Sequence, residues 1–189
     1  MRAIRLSTQD AIIEAAFQIF NHQPGASLAD VAIAAGVSRA TLHRIFRTRD
    51  DLIKALAHTA NAELDAAVDR AVKDAASYFD ALRLAMRAII PLAERQWFLA
   101  HEPVSDEPEI AAAFASGDRE LEAAIDAAKT EGAITSDMPT RWIALSYENL
   151  IYSAWTMLRD GDATADQAAL MAWSTFTDGV ATQTAEPRK

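Results

Sequence analysis

The sequence predicts an all-α protein in two parts, a small N-terminal head of three helices and a larger C-terminal helical bundle, joined by one long helix. Three observations carry this. Nearly every segment of the 189 residues repeats its apolar positions with a helical period, and none alternates as a half-buried strand does. Two short apolar-striped stretches, each opened by a serine, flank the sequence Gly36-Val37-Ser38, which predicts two short helices around a tight bend. Charge is divided as well: residues 1–54 carry seven Lys/Arg against five Asp/Glu, and residues 55–189 carry eleven against twenty-two, within a formal net charge of -9.

The first helix, over about residues 8–21, rests on Ile13, Ala16, Phe17 and Phe20 at i, i+3, i+4, i+7, with Ser7 or Thr8 as its cap and the breaker run NHQPGAS behind it. Ser27 caps the second, LADVAIAA, whose Leu28, Val31, Ala32 and Ala35 share a face, and Gly36 can turn left-handed at its end. Ser38 caps the third, RATLHRIF, with Leu42, Ile45 and Phe46 inward. Asp50 and Asp51 suit the positive end of a long Ala-rich helix over about 50–74. A helix over about 78–98 follows, kinked by Pro91 and striped with Asp80, Arg83, Arg87 and Glu94, which are expected to pair with one another. After the loop HEPVSDEP come helices over about 107–115 and 117–131, then the loop EGAITSDMP, a very apolar helix from Thr140 to Leu158, and a last helix striped by Ala169, Ala172, Trp173, Phe176 and Val180. The divisions expected are a head at 1–49, a larger bundle at 50–182, and a patternless tail at 183–189.

Several functions are excluded or disfavoured by composition. There is no cysteine, so disulfides, thiolate metal sites and cysteine nucleophiles are absent. The four histidines (His22, His43, His58, His101) are widely separated, and neither H-E-x-x-H nor E-x-x-H occurs. With only six glycines, phosphate-cradling loops and nucleophile elbows are missing too. A non-enzyme without metal or cofactor is expected. No apolar run is long enough for a signal peptide or a membrane span, so a cytoplasmic protein is expected.

The segment from Arg39 to Arg49 packs four arginines (Arg39, Arg44, Arg47, Arg49) into eleven positions of an acidic chain. At ~100° per residue, placing Leu42 inward turns Ala40, Arg44 and Arg47 outward, with Arg39, Thr41 and His43 on the flanks. An outer face that is small near its start and cationic further along suits entry into a DNA major groove, where arginine can read guanine. The caps Ser27 and Ser38 can offer donors to phosphates. The rivals are a solvated helix face on a helical protein-interaction module, or a helical-bundle enzyme that has lost DNA binding. A steep salt dependence of DNA affinity separates these from a DNA reader.

In the bundle, apolar and aromatic residues lie on every side of the helix from Thr140 to Leu158, so packing on its own domain leaves some uncovered. A homodimer is expected on the last two helices, through Trp142, Leu150, Ile151, Leu158, Ala169, Trp173 and Phe176. A ligand pocket would draw on Tyr78, Trp97, His101, Phe114, Tyr147, Glu148, Tyr152 and Trp155, for each of which core packing or, where polar, solvent or a structural hydrogen bond is the alternative. His101 stands beside Glu102, and Glu148 beside Asn149, inside otherwise apolar surroundings.

The stretch TQDAIIEAAFQIFNHQPGASLADVAIAAGVSRATLHRIFRTRDDLIKAL, about residues 8–57, resembles the helix-turn-helix domain of the TetR family of bacterial transcriptional regulators. The likeness lies in the first helix, the A-x-x-A-G-V-S turn, the Thr41-Leu42 pair and the acidic start of the fourth helix, at fixed spacings. It implies a homodimer that binds a palindromic operator in double-stranded DNA, usually to repress, and is released by a small-molecule effector. It further implies that Ser27 and Ser38 hold phosphates, that Arg39, Ala40, Thr41 and Arg44 face bases or adjoining backbone, and that Arg49 takes the place of a phosphate-contacting lysine. Three positions depart from the family pattern: His43 replaces a tyrosine, Ile45 an aromatic, and Arg47 a proline or small loop residue. His43 can still donate to a phosphate.

Overall fold

The computed structural model describes residues 7–101 and 108–180. Among them the elements are α1 (Thr8–His22), α2 (Leu28–Ala34), α3 (Arg39–Ile45), α4 (Arg49–Val72), α5 (Tyr78–Ile89), a 3-10 turn (Ile90–Leu92), α6 (Ala93–His101), α7 (Pro108–Thr130), α8 (Thr140–Asp160) and α9 (Ala165–Val180). None of these helices is long and apolar enough to cross a membrane. The loop HEPVSDEP and the tail from residue 183, as well as Glu102, lie outside the described residues apart from His101 and Pro108.

Capping explains most of the boundaries. Ser7 and Ser27 each accept the backbone N–H of an aspartate three residues on, Asp10 and Asp30, whose carboxylates take the serine N–H in return. Thr48 does the same with Asp51 at the start of α4. α2 ends where Gly36, at φ +66°, lets the N–H groups of Gly36 and Val37 reach back to Ile33 and Ala32.

Two regions differ from the sequence pattern. The helix expected over 78–98 is interrupted, because Pro91 has no N–H to donate and its ring crowds the preceding turn; the chain passes through the 3-10 turn and restarts as α6. The two helices expected on either side of residue 116 are one, α7, since an exposed glycine at 117 costs only about 1 kcal/mol inside a helix. The polar stripe also divides: Asp80 pairs with Arg83, but Arg87 reaches Asp166 and Glu94 accepts from Asn21.

The chain forms two compact units. One comprises residues up to Glu63 together with Glu94–Ala111, so that α6 is grouped with α1, α2, α3 and most of α4. Its core is Ile12, Ala16, Phe17, Phe20, Val31, Leu42, Leu52, Leu56, Phe98 and Ile110, all fully buried or nearly so. The other comprises Leu64–Ala93 and the residues from Ala112, with a continuous core of Leu82, Met86, Ile90, Ile125, Ile143, Tyr147, Ile151 and Phe176 among others.

Candidate nucleic-acid interface

α3 is only seven residues long, and its orientation is fixed by what it buries. Leu42 is fully covered and Phe46, the residue that ends the helix, is nearly so, while Arg39, Ala40, His43, Arg44 and Arg47 are exposed and Thr41 is half-buried. The outward face therefore carries the guanidinium groups of Arg39 and Arg44 and the His43 imidazole beside the small side chain of Ala40, and a third guanidinium, that of Arg47, is exposed just past the helix end. Ser38 opens the helix by accepting the Thr41 N–H at 3.1 Å, and its hydroxyl lies 2.9 Å from that of Thr41.

Ser27 is more committed. Its N–H and its hydroxyl both donate to the Asp30 carboxylate, at 2.9 and 2.7 Å, and the hydroxyl bond holds that carboxyl below its ordinary value, with the nearby Arg39 charge a smaller contribution. For Ser27 to hold a phosphate, these bonds must be exchanged. Arg49, in the first turn of α4, donates to the carbonyl of Pro24 at 2.6 Å and lies 4.6 Å from the centre of the Phe20 ring.

Behind this face, α6 is fastened to α1 and α4. Arg95, whose side chain is 15% exposed, pairs with Glu14 of α1 and with Glu63 of α4 at 2.7 Å, and stands over the Phe17 ring at 4.5 Å. Burial opposes its charge, yet the bonds to Glu63 and Glu14 prevail and raise its pKa. Phe17 meets Phe98 edge to face at 5.4 Å, and the Asn21 amide donates to both the carbonyl and the carboxylate of Glu94. Arg95 and Asn21 were not singled out by the sequence: their partners lie 73 or more positions away for all but Glu63, and periodicity does not report such pairs.

Among the described residues, no group of three His, Asp or Glu side chains is placed to hold a metal ion. The chain matches the family model of bacterial regulatory proteins, tetR family, over residues 12–56. It is 32% identical to the HTH-type transcriptional repressor LfrR of Mycolicibacterium smegmatis over 158 residues, which is 83% of this chain and 82% of that protein. The chain belongs to the TetR family.

Solved structures agree on the fold of this TetR-family regulator. The TetR-like transcriptional regulator LfrR from Mycobacterium smegmatis in complex with proflavine superposes with a TM-score of 0.76 at 30% identity, covering 93% of this chain and 97% of that one. The ketosteroid transcriptional regulator KstR2 of Mycobacterium tuberculosis reaches 0.81 at 16% identity, covering 95% and 97%, and speaks for the fold alone. This is a family of DNA-binding transcriptional regulators rather than enzymes.

The residues considered for a pocket fall in different surroundings. Tyr147 is buried, its hydroxyl donating to the Leu82 carbonyl at 2.7 Å, and burial pushes its pKa far up. Trp155 is buried in the same core, with no hydrogen-bond partner for its indole N–H among the described residues. Tyr78 and Tyr152 are exposed, and Phe114 is half-buried. In the other unit, Trp97 and His101 stack on each other along α6 at 3.9 Å, with His101 Nδ1 2.9 Å from the Trp97 carbonyl oxygen. Glu148 is half-buried and its pKa is raised, first by burial, then by Asp118, with Arg141 opposing and Glu122 adding.

The residues considered for a dimer seam divide too. Ile151, Ala169 and Phe176 are covered by the bundle's own core; Leu158 and Trp173 pack against that core, Trp173 between Phe79 and Phe176. Trp142 is 62% exposed, and Leu150 lines a shallow groove of about 400 Å³ between α8 and α9 with Trp142, Ser146, Asn149, Ser153 and Thr175. Leu145, Leu170 and Met171, which were not among the seam residues expected, are exposed on the same two helices, as is Tyr152. Apolar side chains occur on every side of α8, so its period could not tell the inward face from the outward one.

Proposed function

We propose that this regulator is a repressor that binds a palindromic operator as a homodimer and is released by a small molecule. The observation that carries the reading is the outward face of α3, where Arg39, His43 and Arg44 are exposed around Ala40 on a helix held inward by Leu42 and Phe46, with Arg47 exposed just beyond its end. Two such helices enter successive major grooves, about one helical turn apart, with Arg44 reading a base and Ser38, Thr41 and His43 against adjoining backbone. Ser27 adds a contact on exchanging its bonds with Asp30. The cytoplasm is where such a protein meets its operator.

The second copy sits on α8 and α9. Trp142, Leu145, Tyr152, Leu170 and Met171 are exposed on these two helices, and Trp142 also lines the groove with Leu150, Ser146, Asn149, Ser153 and Thr175; an exposed apolar surface of this kind on two long helices is what a two-fold interface covers. The effector is a flat aromatic molecule; the support is the 30% identical LfrR structure, described in complex with proflavine. Its binding is transmitted through α4 and α6, since Arg95 and Asn21 fasten α6 to the helices that carry the reader. A coupling of about 1–3 kcal/mol between effector and operator suffices.

The test is a titration of proflavine into the protein bound to a fluorescent operator duplex. Release at a protein concentration where the dimer persists is the expected result. Operator affinity that rises or stays constant on proflavine binding contradicts effector-induced release, and sedimentation as a monomer at micromolar concentration contradicts the dimer.

A further inference from the structure

Arg49 stands at the junction of three helices. Three residues, 46–48, separate it from α3, it opens α4, and its guanidinium donates to the carbonyl of Pro24 in the turn that joins α1 to α2. The same group lies over the ring of Phe20, a buried residue in the last turns of α1. A guanidinium can do both at once because its edge carries the donors while its face meets the ring; an ammonium is a point donor with no face.

We propose that Arg49 is a positioning residue that ties the start of α4 to the α1–α2 turn, and so sets the pose of α2 and α3 on DNA, in place of the phosphate anchor that the family pattern implies at this position. The inference rests on the DNA-reader reading above. α3 is joined to α4 covalently through residues 46–48, and Arg49 supplies the matching link from α4 to the chain that enters α2. The Thr48–Asp51 capping box fixes the first turn of α4, so the direction of the Arg49 side chain follows the helix itself. A tilt of α4 then moves both helices of the reader together.

The test compares wild type with Arg49→Lys, which keeps the charge and loses the fork and the flat face. Amide hydrogen exchange is measured without DNA, and affinity for a selected operator and a scrambled duplex is measured across salt concentrations. Arg49→Lys is expected to speed exchange at least fivefold from Ala26 through α2 while leaving α8 and α9 unchanged. It is also expected to lower operator affinity five- to tenfold with the scrambled affinity and the salt slope unchanged.

Unchanged exchange in Arg49→Lys overturns the proposal, as does wild-type operator affinity in Arg49→Lys combined with a salt slope smaller by about one phosphate in Arg49→Ala. Uniformly faster exchange throughout the unit also overturns it, by reducing Arg49 to a general stabiliser. A wild type that does not distinguish the two duplexes counts against the DNA-reader reading, and the exchange measurement then decides the role of Arg49 by itself.

Discussion

In the unit that carries α1, α2, α3 and α6, large apolar side chains turn inward around Phe17, Phe20 and Leu42 and the surface of α3 is cationic, with Ile33 of α2 the exposed exception. In the bundle, the core around Met86, Ile143 and Phe176 is equally well covered, yet α8 and α9 keep five large apolar residues outside it. The contrast separates two kinds of surface. Arginines on a closed unit lose nothing by waiting in water for a polyanion, because solvent stabilises them until phosphates replace it. Exposed tryptophan and leucine are at a disadvantage in water until a protein surface covers them, which is what supports the proposed partner on this face of the bundle.

The comparison breaks most severely at Phe17, which is fully buried between Phe98 and Arg95. Phe17→Ala is expected to cost about 3–5 kcal/mol of stability in urea unfolding followed by circular dichroism. A loss below about 1 kcal/mol would show that the core of this unit tolerates the cavity. On the bundle, Trp142→Ala is expected to weaken self-association by about 2 kcal/mol or more while leaving monomer unfolding almost unchanged, since the ring is mostly in solvent. Sedimentation equilibrium reads the first effect, and an unaltered dimer constant would move the seam elsewhere.

Arg44→Ala is expected to reduce operator affinity by about 1–3 kcal/mol and to relax the choice at one base position, measured by anisotropy on single-base variants of the operator. The smallest effect belongs to Glu148. Its folded-state pKa is raised, so the folded protein holds the proton longer than the unfolded chain, and stability falls as pH rises from the ordinary carboxylate value through the raised one. Glu148→Gln is therefore expected to raise the melting temperature slightly at pH 7 and to lose that advantage near pH 4; a gain independent of pH would assign the effect to packing.

Much of the reader was legible because its signals are local. Serine caps stand three residues before their partners, Gly36 is needed for a left-handed turn, and the inward stripe of α3 fixes its outward face. The bonds that constrain the reader were not legible, since Arg49 to Pro24 and Arg95 to Glu14 join residues far apart in sequence. In the bundle the helices were found but their rotation was not: Ile151 and Phe176 are inside and Leu170 and Met171 are outside, though all four are apolar. The break at Pro91 was expected as a kink and is a 3-10 turn, whereas Gly117 lies within a continuous helix.

The central claim, that the arginine face of α3 reads DNA as one of a symmetric pair, is tested most directly by selection from a random double-stranded DNA library at moderate salt. The account predicts enrichment of a palindrome whose half-sites are about one helical turn apart and whose recovery falls steeply with salt. Retention of sequences with no shared motif, or of none at all, by a protein free of effector would contradict it.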